Sequence, residues 1–404
     1  MRFIEVIEFI VEGLGIVFFY LNLVCLYLIC LLTGMTAKQR FLSLDVFRGA
    51  TVFLMIVVNN PSQWGVQYGP LQHAAWHGFT LTDLVFPSFL FAVGNAMAFV
   101  MGRYEGQGEG YFWKKVLKRS LMIFLIGLGL NWFPFYDFGS GEFISFSTLR
   151  IFGVLQRIGF CYFIAAIIIH YLKTNRLIIY TSLLLLFGYW FVVWIFGKGD
   201  PYSISGFVGN QWDLAIVGPN HVYQGEGMPF DPEGFLSTLP SVVNVLIGYL
   251  VGLYFTRRGV SYEVLAKLLV AGALLILAGL TWDLFFPINK KIWTSSFVLL
   301  TSGICMSALA ILAYLIELKK SQSWTHFFVV FGKNPLFIYA FSWVLAVLFW
   351  MVQLGGKSIQ SWIYDSYNLM MSEALASLFY AITFTMINWI IGFYLDQKKV
   401  YIRV

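Results

Sequence analysis

The sequence predicts an all-α, multi-pass membrane protein: one bundle of about eleven transmembrane helices. Three observations predict it. Of 404 residues, 59% are hydrophobic and only 11% charged, whereas a soluble domain carries about a quarter charged residues; a soluble fold of this size cannot hide so much apolar surface. Apolar runs of about 20 residues, long enough to cross hydrocarbon, recur along the whole chain. Basic residues gather in the short junctions between those runs, as membrane topology requires.

The candidate spans are 3–33, 42–60, 81–102, 115–135, 147–171, 176–197, 236–256, 264–286, 292–316, 325–351 and 368–395. No short-period repeat, low-complexity tract or long linker interrupts them, so residues 35–404 read as one membrane domain. Residues 1–34 stand apart. Glu5, Glu8 and Glu12 share one helical face there, ahead of a long apolar run. An acidic start is unlike a signal peptide. The segment reads as an extra helix, or as a stretch preceding a true start at Met35.

Orientation follows from the junctions. Lys38 and Arg40, then Arg103, Lys114, Lys115, Lys118 and Arg119, then Lys173 and Arg176, then Arg257, Arg258 and Lys267, then Lys319 and Lys320, then Lys398, Lys399 and Arg403 all fall on one side if the spans from residue 42 alternate. The other side holds few: Lys198, Lys290, Lys291 and Lys357. The positive-inside rule makes the rich side cytoplasmic. Loops 61–80, 136–146, 198–235, 287–291 and 352–367 then face outward. The balance of 26 Lys+Arg against 20 Asp+Glu is thereby explained without nucleic acid. The cysteines Cys25, Cys30, Cys161 and Cys305 lie in apolar runs without CxxC spacing. They indicate neither a metal site nor a disulfide framework.

Ionisable groups at membrane depth are functional candidates by default. Asp45 and Arg48, three apart, read either as an interfacial ion pair or as an entrance for an anionic ligand. Arg157 falls about half-way along its span by helical rise and calls for a partner, with Asp83 or Asp45 as candidates. Asp231 and Glu233 precede a helix, where carboxylates suit its dipole; they also suit a cationic or polyhydroxylated ligand. Lys333, Asn334 and Pro335 inside an apolar run predict a broken helix. The chain has five histidines, and two of them, His73 and His77, sit in one outer loop. Zinc is a minority reading, because no third ligand is evident and Gly78 breaks the helix. His73, with Asp83 to orient it and Asn59 and Asn60 closing the preceding helix, makes an acyl-transfer site.

The runs RFLSLDVFRGATVFLMIVVNN and HAAWHGFTLTDLVFPSFLFAVG, followed in order by LRIFGVLQRIG, FDPEGFLSTLPS, INKKIWTSSFVL and GKNPLFIY, resemble the heparan-α-glucosaminide N-acetyltransferase family and its bacterial relatives. The likeness runs from about residue 40 to the end. It implies an eleven-helix enzyme that takes acetyl from cytoplasmic acetyl-CoA and delivers it to the amino group of a glucosamine on the far side, with no metal. His73, in the H-A-x-W motif, matches the active histidine, and Asn59 or Asn60 the asparagine closing the preceding helix. His77 departs from the asparagine of lysosomal members. On this reading Arg48, Lys114, Lys115, Lys118 and Arg119 hold the donor's phosphates, while Asp231, Glu233, Trp76, Asn289, Lys290 and Asn334 line the acceptor site. The short apolar extension in place of a long lumenal domain suggests a bacterial inner-membrane relative, compatible with a homodimer. O-acetylation of a surface glycan and sugar permeation are the alternatives.

Overall fold

The computed structural model describes residues 41–402 except 138 and 140, with five isolated positions before them. The expectations for residues 1–34, and for Lys38, Arg40 and Arg403, lie outside the described residues. Among the described residues, eight helices are long and apolar enough to cross a membrane, nine if one bent pair is a single span. In chain order the main helices are α1 (Leu42–Asn59), α2 (Leu81–Ala98), α3 (Glu109–Trp132), α4 (Val154–Leu172), α5 (Asn175–Phe196), the short α6 (Val208–Val217), α7 (Phe235–Arg258), α8 (Tyr262–Asp283) and α9 (Ser295–Ala313). Then come α10 (Thr325–Lys333), α11 (Pro335–Met351), the short α12 (Ile359–Asn368) and α13 (Glu373–Gln397). Two small antiparallel hairpins, Tyr136–Asp137 with Glu142–Phe143 and Gln353–Leu354 with Lys357–Ser358, decorate the loops. The described residues do not establish eleven spans. The first candidate lies outside them, and α3 carries Lys114, Lys115, Lys118 and Arg119 in its first half, too many charges for a strictly apolar span.

Local chemistry sets the boundaries. α1 stops before Pro61, which disfavours helical geometry in the residue ahead of it. Thr80 and Asp83 form a capping box that opens α2, answering orphan backbone donors at the helix start. Thr174 and Ser261 accept hydrogen bonds from Leu177 and Val264 to open α5 and α8. The break predicted at Lys333–Pro335 is real: α10 and α11 meet at 84°, with Asn334 between them.

Packing relies on backbone proximity. In lipid, helices associate through close fit at small residues. A Cβ on Gly94 would lie 1.9 Å from the Val245 carbonyl oxygen, and one on Gly248 2.1 Å from that of Phe91, so α2 and α7 touch main chain to main chain. Gly49 and Gly332 do the same for α1 and α10. The bundle therefore has two distinct ends. The loop after α1 meets the start of α13, Ser62 N donating to Ser377 Oγ at 3.3 Å. At the other end Asn334 holds the segment beyond α13, through Val400 O at 3.0 Å and Ile402 N at 2.8 Å.

A candidate active site at the loop end

The loop between α1 and α2 is folded around one carboxylate. Asp83 Oδ2 accepts from the backbone of Ala74 and Thr80, each at 3.1 Å, and from Thr80 Oγ1 at 3.0 Å. Oδ1 is left for His73, whose Nδ1 stands 2.7 Å away. Asp83 is buried and fully engaged. That contact places the imidazole proton on Nδ1 and leaves the Nε2 lone pair free, the arrangement of an oriented base or nucleophile. The His73 side chain is 34% exposed, so the ring is open to solvent.

A second loop, between α8 and α9, closes over this pair. Gly78 N donates to Ile288 O at 2.8 Å and ties the two loops together. Asn289, fully buried, organises its own turn: its Oδ1 accepts from Ile292 N and its backbone N donates to Thr294 Oγ1, both at 3.0 Å. Its amide also approaches His77 Nδ1 at 3.4 Å, and burial lowers the pKa of His77, which suits an acceptor nitrogen. The turn delivers Lys290, whose Nζ lies 3.1 Å from His73 Nδ1, 3.5 Å from Nε2 and 3.6 Å from Asp83 Oδ1. Desolvation lowers the pKa of this lysine, opposed by the charges of Asp83 and Glu233. The neighbouring Lys291 pairs instead with Glu226 at 2.5 Å, beside the Trp76 ring. Trp76 donates to Tyr202 O at 2.8 Å and packs on Phe230.

Asp231 and Glu233 come together with a residue the sequence reading gave no role. Arg150 holds Asp231 through Nε and Nη2 at 2.8 and 2.7 Å and Glu233 through Nη2 at 2.5 Å. These hydrogen bonds and charges raise the pKa of the guanidinium. The only hint of this role in the sequence was an arginine heading an apolar run opposite two loop carboxylates. Asp213 on α6 was missed altogether. It is buried, accepts from Phe235 N at 2.8 Å, and burial pushes its carboxyl up to about 7.

Other expected residues lie elsewhere. Neither Asp83 nor Asp45 is the partner of Arg157, and Arg157 is not half-way along its span. It sits in the first turn of α4, donates to Gly234 O at 3.1 Å and to Ser237 Oγ, and stacks on Trp293 with its guanidinium carbon 4.9 Å from the ring centre. Backbone carbonyl, hydroxyl and π-face replace the expected carboxylate. Asn60 turns back to Ile56 O at 2.8 Å, and among the described residues no hydrogen bond joins Asn59 or Asn60 to His73. Arg48 binds Asp45 at 2.7 Å and Gly332 O at 2.8 Å, clamping α1 to α10. Lys114, Lys115 and Lys118 are exposed on α3, and Arg119 lies over the Tyr162 ring. These residues and Asn334 occupy the end of the bundle opposite His73.

A multi-pass helical bundle with a histidine oriented by a buried carboxylate at one end defines the class: a polytopic membrane protein with a candidate base or nucleophile in its loops. The family follows from comparison. The family model "Heparan-alpha-glucosaminide N-acetyltransferase, catalytic" matches residues 40–286, more than half of the chain, and the chain belongs to that family. It is 27% identical over 356 residues to the human heparan-alpha-glucosaminide N-acetyltransferase, covering 74% of this chain and 52% of the human protein. The mouse protein of the same name gives 27% over 362 residues, covering 76% and 54%. The chain thus spans about half the length of the curated relatives it matches. His73, Asp83, Arg150, Asp231 and Glu233 fall inside the matched stretch; Lys290 lies just beyond it.

Proposed function

We propose that the chain is a membrane N-acetyltransferase that moves acetyl from acetyl-CoA to the amino group of a glucosamine-type sugar. The His73–Asp83 pair carries this reading: one nitrogen is fixed by a buried carboxylate, and the other is left unprotonated at a loop end, with Lys290 Nζ 3.5 Å away. The amine attacks the thioester carbonyl, the C–N bond forms and the C–S bond breaks. His73 Nε2 takes the proton leaving the amine and passes it to the departing thiolate, giving the amide and free CoA thiol. Lys290, 3.1 Å from His73 Nδ1, would supply positive charge for the developing oxyanion. Asp231 and Glu233, held by Arg150, are carboxylates that can draw in an acceptor ammonium, which sheds one proton to water before the neutral amine attacks. Trp76 borders the same loops. Asn289 serves by holding Lys290, and Asn59 and Asn60 border the loop that carries His73. Asn334, at the far end, anchors the C-terminal segment.

The donor's phosphates belong at that far end, with Arg48, Lys114, Lys115, Lys118 and Arg119, the end that faces the cytoplasm in a bacterial inner membrane. The test uses the full chain in liposomes with acetyl-CoA and either glucosamine or a sugar bearing hydroxyls alone. Transfer to the amine, reduced at least ~100-fold by His73→Ala, is expected. Transfer to hydroxyl-only sugar would support O-acetylation instead. Sugar uptake without acetyl-CoA that survives His73→Ala would make the chain a permease.

A further inference from the structure

Two consecutive residues of the His73 loop grip two consecutive residues of the α8–α9 loop. Gly78 N donates to Ile288 O at 2.8 Å, and His77 Nδ1 faces the Asn289 amide nitrogen at 3.4 Å. Gly78 adopts φ +114°, a backbone form that glycine takes without strain, and this turn lets both residues address the same partner loop. Directly after the clasp comes Lys290, which the second loop sets against His73 and Asp83. Among the described residues, no hydrogen bond joins His77 to His73, so its influence on the reacting centre runs through Asn289.

The polarity of the clasp is fixed. Asn289 Oδ1 accepts from Ile292 N at 3.0 Å, so the amide nitrogen is the group turned to His77, and that N–H can only donate. His77 Nδ1 must therefore accept, which puts the single proton of the neutral ring on Nε2. A second proton ends this arrangement. An imidazolium carries N–H on both nitrogens, and two donors then face each other. Asn289 has no way to adapt by turning its amide over, because Oδ1 would leave the buried Ile292 N–H unanswered. The backbone of Asn289 is committed as well, its N donating to Thr294 Oγ1 at 3.0 Å and its O accepting from Thr294 N at 3.0 Å. Protonation thus strains the turn that carries Lys290.

The surrounding charges favour release once the ring is protonated. His77 lies at the loop surface, exposed to protons from solvent. Partial burial lowers its pKa, opposed by the charges of Asp200, in the loop after α5, and of Asp283, at the end of α8. The neutral ring is the form at neutral pH; acid creates a cation that both aspartates attract. Asp283 Oδ1 already accepts from Ile288 N at 2.5 Å, so a charged His77 competes for a carboxylate that shapes the same loop. The remaining charged groups of the two loops are paired with each other or with neighbours: His73 with Asp83 at 2.7 Å, Lys290 with Asp83 at 3.6 Å and Lys291 with Glu226 at 2.5 Å.

We propose that His77 is a positioning residue, which holds Lys290 at His73 only while its own imidazole is neutral, so that acid at the loop end opens the clasp and slows transfer. The inference rests on the acetyltransferase reading above and adds to it an acid response separate from that of His73. Two variants of the full chain test it. Asparagine places an acceptor oxygen where histidine has Nδ1 and does not titrate, so His77→Asn keeps the clasp at every pH. His77→Ala removes the acceptor at every pH. The first readout is amide hydrogen exchange of residues 286–294 in detergent at pH 8 and pH 5, corrected for the intrinsic effect of pH. Wild type is expected to exchange at least about threefold faster at pH 5 than at pH 8, His77→Asn equally at both, and His77→Ala fast at both. The second is the pH dependence of kcat/KM for acetyl transfer to glucosamine. Wild type should lose activity in acid with a second-order dependence on protons, one for His73 and one for His77, and His77→Asn with a first-order one. At pH 8, His77→Ala should be about fivefold slower than wild type. Exchange that ignores pH in wild type, or that responds equally in His77→Asn, overturns the clasp. Matching acid limbs in wild type and His77→Asn overturn its role in transfer. If wild type transfers no acetyl, the transferase reading fails, and the exchange comparison still decides whether His77 switches the turn that carries Lys290.

Discussion

Among single residues, the most telling after His73 is Asp213. Its carboxyl is pushed by burial up to about 7 from an ordinary 3.8, against the Phe235 N hydrogen bond and the charge of Arg157. The folded state therefore binds a proton between those values that the unfolded chain has already released. Stability from this group is full below about pH 4 and is lost as pH rises through 7. Asp213→Asn keeps the acceptor for Phe235 N and removes the charge. It should raise the melting temperature in detergent at pH 8, within a ceiling of about 4 kcal/mol, and change little at pH 4. An equal shift at both pH values would show that Asp213 is not carrying buried charge. The legible residues were those fixed by local spacing: His73 and Asp83 are ten apart, so one loop can bring them together. Lys290, 217 positions from His73, was visible as a cation but not as a neighbour of that ring, because its placement depends on the Asn289 turn and the tie from Gly78. Arg157 was misread for the opposite reason: a carbonyl, a hydroxyl and an indole face leave no charge signature in the sequence.

Secondary-structure elements were legible wherever lipid imposes a length. The predicted runs at 42–60, 176–197 and 236–256 became helices Leu42–Asn59, Asn175–Phe196 and Phe235–Arg258, since hydropathy and a bounding Pro, Thr or Gly mark such ends. The α10–α11 break was legible for the same kind of reason, through Lys-Asn-Pro in an apolar run. Which helices touch was not, because contact between helices in a bundle follows from small residues meeting in space. The glycines make this testable. Gly248→Ala drives a Cβ to 2.1 Å from the Phe91 carbonyl oxygen, whereas Gly102, in the single-turn helix Met101–Glu105, has nothing within 4 Å. Gly248→Ala should destabilise by about 1–3 kcal/mol through forced separation of α2 and α7. Gly102→Ala should be neutral or stabilise by up to about 1 kcal/mol through helix propensity. Melting in detergent compares them, and similar shifts in the two variants would contradict backbone-to-backbone packing.

The described residues are polarised in charge, and the proposed function puts the two substrates at opposite ends. The loop end holds the histidine and the carboxylates Asp231 and Glu233; the opposite end holds Lys114, Lys115, Lys118 and Arg119 on α3, with Lys398 and Lys399 after α13. α2 alone, at 18 residues, separates those ends by about 27 Å, so a donor whose phosphates rest among the lysines must extend its thioester arm inward toward His73. Diffuse surface charge of this kind acts at long range and is screened by salt. Lys114→Glu, Lys115→Glu and Lys118→Glu combined should therefore raise KM for acetyl-CoA about tenfold at low ionic strength, a loss of roughly 1.4 kcal/mol. The difference from wild type should shrink in 0.5 M salt. KM for the sugar, bound by buried groups at the other end, should stay within twofold. If the triple variant altered both constants together, or if its defect persisted in high salt, the lysines would be shaping the bundle rather than drawing in the donor, and the two substrates would have to share one end.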